Sequence, residues 1–461
     1  MPLRDGSHLA CRLHRPAAAS GAPATGRFPG IVYEYTAYAE NAEAFSTDLE
    51  YFVRRGYEGV VCQVRGSGAS PGVIDPFGPQ EQRDNVDLIE WLATRPSSTG
   101  RIGQMGLSYG GHTTLLAAVN RPKHLVAIIP INGISDWYEN TIYRGGIRSP
   151  RIQTWQKEVA PNTLTTYAQH PLHDAFWDAR SVASRWDDLD VPTLEINGWY
   201  DRYRDGMVKN HLARPDNVWM VSGPWEHGYP SSQRAPIDQR PYLAWWDHWL
   251  KQDPKAPLPR TKITSFEISS QNHSTGWHQY AAWSPSSRTI DFALGARGDL
   301  ARRAGFPEER SYDVNTSDSP ATPAQRLDFT TAPQRRDLVI AGSPRLELDT
   351  TFTATDGNIA AVLEDVAPDG RRSRITQGWL KASHREGHEQ LAAVVPGTSY
   401  RMSVEIWPTH YRLPAGHRLG LRVSSDDYPE IASDAPKGRV TVEVGRGGST
   451  LELPVSGRGT R

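Results

Sequence analysis

The pentapeptide Gly106-Leu107-Ser108-Tyr109-Gly110 constrains this chain more than any other stretch, because it matches G-x-S-x-G where a strand should turn sharply into a helix. Arg101-Ile102-Gly103-Gln104-Met105 reads as the strand, and the apolar run from His112 to Val119 reads as the helix. A serine at such a turn takes a positive φ, which leaves no room for side chains two positions before and after it. The flanking elements matter, since a chain with 40 glycines can produce the bare motif by chance. In this setting Ser108 is the expected nucleophile of an α/β fold.

Two further residues follow predicted strands in the chain order acid, then base. Val191-Pro192-Thr193-Leu194-Glu195-Ile196-Asn197-Gly198 reads as a buried strand, with Asp201 just past its end in Gly198-Trp199-Tyr200-Asp201. Asn217-Val218-Trp219-Met220-Val221-Ser222-Gly223 reads as the next strand, with His227 in Gly223-Pro224-Trp225-Glu226-His227-Gly228. The interval between them accommodates one helical crossover between parallel strands. Taken one at a time, an Asp and a His in loops are ordinary polar groups, in a chain with 15 histidines and 52 acidic residues. It is the joint placement of Ser108, Asp201 and His227 after successive strands that points to a hydrolytic triad. His112 is a rival base, but it is expected to belong to the nucleophile helix.

At 461 residues the chain exceeds the size of a single core, so two or three domains are expected. A formal net charge of −1 argues against a nucleic-acid or membrane-surface partner, leaving a small-molecule acyl substrate and the option of a homo-oligomer. Met1-Pro2-Leu3-Arg4-Asp5-Gly6-Ser7 lacks an apolar core, and no later run is long enough to span a bilayer; a cytoplasmic protein is the expectation. The two cysteines, Cys11 and Cys62, fall on apolar strand-like runs and are expected as separate buried thiols rather than as a disulfide or metal site.

Organisation along the chain is legible from the change of pattern. Over residues 1–133, short β-branched runs (30–33, 59–64, 102–105, 125–131) alternate with helical segments, notably 79–94 with Val86, Ile89 and Leu92 on one face. This is the first part of a doubly wound α/β core. Residues 134–190 turn to aromatic-rich helical segments, as a cap inserted over the active site would. The core resumes over 191–256, and 257–461 becomes wholly β, with alternating runs at 263–269, 345–351, 359–366, 400–406, 418–424 and 439–444. That spacing predicts a β-sandwich or jelly roll. The Pro-, Arg- and Asp-rich stretch 284–337 reads as a surface excursion with a strand or two.

Several of these motifs together resemble the CocE/NonD hydrolases, the group of cocaine esterase, α-amino acid ester hydrolases and X-prolyl dipeptidyl-peptidases. The resemblance rests on the opening from Met1 to Gly6, on Gly66-Ser67-Gly68-Ala69-Ser70, and on Gly-Leu-Ser-Tyr-Gly, Gly-Trp-Tyr-Asp and Gly-Pro-Trp-Glu-His around the three residues above. It continues through Asp365-Val366-Ala367-Pro368-Asp369-Gly370, residues 378–385 and Gly416-His417-Arg418-Leu419. It implies an α/β-hydrolase core, a helical cap, a C-terminal jelly roll, and no metal or organic cofactor.

The resemblance further implies an oxyanion hole made by a tyrosine hydroxyl and the amide that follows the nucleophile. By position these are Tyr35, in Tyr33-Glu34-Tyr35-Thr36-Ala37-Tyr38, and Tyr109; Glu34 stands where the family usually has proline, which keeps Tyr33 and Tyr38 as alternatives. Trp137, Trp155, Trp199 and Tyr203 are candidates for an acyl pocket. Arg202 and Arg204 could meet a substrate carboxylate, although a solvated pair is the plainer reading. The expected reaction is hydrolysis of an ester or amide through an acyl-enzyme. X-prolyl or α-aminoacyl specificity is an alternative in which Glu34, Asp136 and Glu139 could hold the substrate amine, and acyl transfer or cyclisation is another.

Overall fold

The computed structural model describes residues 1–270 and 275–456. Its first half is a nine-stranded sheet. The strands and helices run β1 (Cys11–His14), β2 (Phe28–Thr36), α1 (Ala42–Val53), β3 (Glu58–Gln63), α2 (Pro79–Ala93), β4 (Ser98–Leu107), α3 (Tyr109–Val119) and β5 (Leu125–Ile131). The spatial order β1-β3-β2-β4 places α1 and α2 as crossovers, with β2 to β5 parallel and β1 antiparallel at the edge. Every residue of β2 after Phe28 is buried, and so are most of β3 and β5, because helices cover both faces of a parallel sheet.

Residues 134–190 leave the sheet. They form the two-stranded hairpin of β6 (Tyr143–Arg144) and β7 (Ile147–Arg148), then α4 (Pro150–Val159), α5 (Thr163–Ala168) and α6 (Ala175–Asp178). Trp137, Tyr138, Tyr167 and Trp177 of this segment are buried in one core with Val32, Phe77, Leu88 and Leu115, so its aromatic content seals the cap onto the α/β unit. The chain then returns through β8 (Thr193–Gly198), α7 (Arg204–Ala213), β9 (Val218–Gly223) and α8 (Arg240–Trp249). β8 pairs in parallel with both β5 and β9.

Two more strands, β10 (Ile263–Phe266) and β11 (Trp277–Tyr280), extend the same sheet, β10 running parallel to β9. The sheet therefore passes residue 256, where the sequence pattern placed the change to an all-β domain. A short alternating run looks the same whether it edges a mixed sheet or starts a sandwich.

The remaining chain forms an antiparallel sandwich. One layer holds Arg345–Phe352, Ser399–Glu405, Arg439–Val444 and Thr450–Val455; the other holds Arg326–Thr330, Asn358–Val366, Arg372–Lys381 and Arg418–Ser424. Alternation at period two puts Leu346, Leu348 and Phe352 on the inner face against Leu363, Leu421 and Val423 of the facing layer. The stretch 284–337 is not a surface excursion. It supplies Arg288–Leu294, Leu300–Ala301, Glu308–Asp313 and Arg326–Thr330, and buries Ile290, Phe292, Leu294, Leu327 and Phe329. Charged residues at the outward positions of those strands concealed the inward apolar set.

The cysteines also depart from expectation. Cys11 and Cys62 are opposed across the β1–β3 pair and form a disulfide, not two free thiols. The apolar runs gave each strand, but not its register against the other. A disulfide is unusual in a reducing cytoplasm, so the bond and the expected compartment pull in different directions. Among the described residues no helix is long and apolar enough to cross a membrane.

Candidate active site

The site lies at the carboxyl ends of β2, β4, β8 and β9, the edge where open α/β sheets place their ligands. Ser108 sits between β4 and α3 with φ 59° and ψ −111°. This conformation costs a non-glycine residue about 1–3 kcal/mol and persists only when its surroundings enforce it. Enforcement comes from a close approach beneath the turn: a Cβ on Gly110 would stand 1.9 Å from Glu34 Oε2, and one on Gly106 2.6 Å from the Gly110 backbone. The Glu34 carboxylate accepts from the Leu107 amide (2.8 Å) and the Tyr229 hydroxyl (2.6 Å), joining β2, the elbow and the loop after His227. Burial pushes its pKa up to about 8, against those two hydrogen bonds.

His227 Nε2 is 2.9 Å from Ser108 Oγ, and His227 Nδ1 is 2.6 Å from Asp201 Oδ2. Asp201 is fully buried, and its other carboxylate oxygen accepts from the Tyr203 amide at 2.7 Å. With Nδ1 donating to the carboxylate, Nε2 is left to accept the serine proton. An amide pair missed by sequence reasoning ties the loops together. Asn132 donates to Asn197 (2.8 Å) and accepts from the Gly228 amide (3.1 Å), while Asn197 donates to the Tyr203 carbonyl. No sequence signal marks either asparagine beyond its position at a strand end.

His112 takes no part: its ring is buried between the carbonyls of Ile134 and Arg180 at 2.7 and 2.8 Å, and burial pushes its pKa down to about 4. Tyr35 does not reach Ser108 either. It is buried under the sheet edge and donates to the Glu81 carbonyl at 3.2 Å, because alternation along β2 turns it away from the loop. Tyr38, two residues past the strand, lines the same cavity as Ser108. Its hydroxyl accepts from Trp155 Nε1 at 2.9 Å; burial pushes its pKa up, opposed by hydrogen bonding to Trp155 and Ser108. Tyr109 opens α3, so its amide is among the N–H groups a helix leaves without an intrahelical acceptor. Its side chain is committed elsewhere, donating to Glu81 at 2.6 Å.

Residues 5–162 and 150–229 match the X-Pro dipeptidyl-peptidase (S15) family, and residues 257–450 match the X-Pro dipeptidyl-peptidase C-terminal non-catalytic domain. The chain is 24% identical to cocaine esterase from a Rhodococcus strain, over 95% of this chain and 92% of that protein. It is 22% identical to a putative Xaa-Pro dipeptidyl-peptidase of Bacillus anthracis, over 92% and 77%. A crystal structure of a CocE/NonD family hydrolase from Staphylococcus aureus superposes with a TM-score of 0.87 at 20% identity, covering 99% of this chain and 92% of that one. An α-amino acid ester hydrolase superposes at 0.80 with 19% identity, covering 98% and 95%. Together the two family matches place the chain in the X-Pro dipeptidyl-peptidase (S15) family of serine hydrolases.

The cavity of this S15-family hydrolase is small, about 180 Å³. Trp137, Trp155 and Tyr203 all line it, and the Tyr203 ring meets His227 edge-on at 5.4 Å. Trp199 does not: it is buried in the core shared with the sandwich, stacks on Trp283 and donates to Ser265. Residue 199 precedes the turn that carries Asp201, so its side chain falls on the sandwich side. Nor are Arg202 and Arg204 a solvated pair. Arg202 lines the cavity, whereas Arg204 is buried, donating to the Pro408 carbonyl and Thr376 of the sandwich, and burial lowers its pKa to about 10.

The carboxylates that the alternative α-amine specificity would use do not line the cavity. Glu34 lies beneath the elbow, Asp136 accepts from the amides of Tyr138 and Glu139 and from His173, and Glu139 pairs with Lys209. Arg144 and Arg151 of the cap stand there instead, and sequence reasoning named neither.

Proposed function

We propose that this hydrolase cleaves a small ester through an acyl-enzyme on Ser108. The observation that carries the reading is His227, held within 2.9 Å of Ser108 Oγ by one nitrogen and within 2.6 Å of Asp201 by the other. His227 takes the Ser108 proton as the oxygen attacks the substrate carbonyl, and Asp201 fixes the tautomer and stabilises the imidazolium. The Tyr38 hydroxyl and the Tyr109 amide receive the oxyanion. The proton on His227 passes to the leaving alcohol, and water then repeats the sequence to free the acid.

An ester is favoured over an X-prolyl or α-aminoacyl substrate because no Asp or Glu among the described residues lines the cavity to pair with an α-ammonium group. A fluorophosphonate probe should label Ser108 in the wild type and leave Ser108→Ala unlabelled. Paired assays should show turnover of p-nitrophenyl esters and at least 100-fold slower turnover of aminoacyl-prolyl anilides. Absence of labelling overturns the nucleophile; preference for the anilides overturns the substrate class.

A further inference from the structure

Three arginines reach the catalytic cavity from two sides. Arg202 comes from the loop that carries Asp201, while Arg144 and Arg151 come from the β6–β7 hairpin and the first turn of α4. Against them stands a single carboxylate, Glu430 of the sandwich, which pairs with Arg144 and with Arg151 at 2.8 Å from outside the cavity wall. Arg202 has no ion-pair partner among the described residues. Two guanidinium groups therefore share one carboxylate and a third stands beside them at a small cavity, an arrangement that favours an anion.

A second observation points the same way. The Arg144 side chain is 3% exposed and its Nε has no hydrogen-bond acceptor; Ser149, also on the cavity wall and fully buried, has a hydroxyl without a partner. Both atoms lie behind the cavity wall, so Arg144 acts on the cavity through its charge rather than through that N–H. The charge is also held in place. The Arg144 guanidinium lies 5.4 and 5.2 Å from the rings of Trp379 and Trp407, and a Cβ on Gly145 in the same hairpin would stand 2.1 Å from the Trp379 carbonyl. The sandwich thus sets the position of a cap residue on the wall of the cavity that holds Ser108.

We propose that the substrate carries a carboxylate besides its scissile ester, bound by Arg202, and that Arg144 and Arg151 add to the local positive charge. The inference rests on the ester hydrolase reading above and narrows it.

Two matched pairs test it. The first is the p-nitrophenyl hemiester of adipic acid against its methyl ester, with the charge on the acyl side. The second is 4-acetoxyphenylacetate against its methyl ester, with the charge on the leaving side. The expected result is a kcat/KM at least tenfold higher for the acid in one pair, falling below threefold in Arg202→Gln and recovering in part in Arg202→Lys. Arg151→Gln, at a more exposed position, serves as the second variant and should reduce the same ratio. Acid and methyl ester turned over equally in both pairs, with Ser108 still labelled by fluorophosphonate, overturns the anion site and leaves the ester hydrolase reading standing. A preference unchanged in both variants overturns the arginine assignment, and loss of Ser108 labelling overturns the reading beneath it.

Discussion

The floor and the roof of the cavity are built on different plans. On the floor, each reacting group follows a strand of one sheet, and its supports lie within the same half of the molecule: Glu34 under the elbow, and Asn132 with Asn197 between the loops. On the roof, a hairpin two residues per strand long is held by groups 286 residues away, through Glu430 on Arg144, and by the rings of Trp379 and Trp407. The floor can keep its chemistry whatever substrate the cap admits, and the roof can change its substrate without disturbing the elbow. In the proposed function, catalysis is local to the sheet edge, whereas recognition is divided between cap and sandwich.

The comparison breaks most sharply at Tyr38. Tyr38→Phe removes one oxyanion donor from the floor and should lower kcat about 10² to 10³-fold, with little change in KM. Tyr35→Phe, whose hydroxyl bonds Glu81 away from the cavity, should stay within threefold. A loss that falls on Tyr35 instead would return the oxyanion role to the residue that family position favours.

The roof is tested by Glu430→Gln. This strands the buried Arg144 guanidinium, and removing one partner of such a pair costs about 3 kcal/mol. Thermal unfolding should report that loss, and KM should rise while kcat holds. A fall in kcat with stability and KM unchanged contradicts the division.

Glu34→Gln belongs to the floor and is read from the pH dependence of stability rather than from rate. Burial raises the Glu34 pKa to about 8, so the proton's contribution to stability is fully present below about pH 4.5 and is lost as the pH rises through about 8. Wild-type stability should decline by about 1 kcal/mol or less per pH unit across that window. Unfolding midpoints of Glu34→Gln should vary less with pH over the same range, and an unaltered profile would show that Glu34 keeps its charge.

What could be read in the sequence follows the same division. Ser108, Asp201 and His227 each sit within four residues of a strand end, so a local pattern of apolar run and loop places them at one sheet edge. Leu125–Ile131, Arg418–Ser424 and Arg439–Val444 are strands over the very residues whose apolar pattern marks them. Tyr38 was harder, because whether a tyrosine near the end of β2 faces the cavity or the core depends on where the strand's alternation stops. The arginine-lined wall was out of reach, since nothing local connects Arg144 with Glu430 or with Trp407. The Cys11–Cys62 bond was hidden for the same reason, being set by the register of β1 on β3.

The most direct test is to mix enzyme with excess p-nitrophenyl ester, quench in acid within milliseconds to seconds, and map the acyl group by mass spectrometry. The account predicts a single acyl adduct on the peptide containing Ser108, no adduct in Ser108→Ala, and a kcat for that variant lowered about 10⁵-fold or more. An adduct on another residue, or a Ser108→Ala enzyme that keeps more than about one hundredth of the rate, would contradict it.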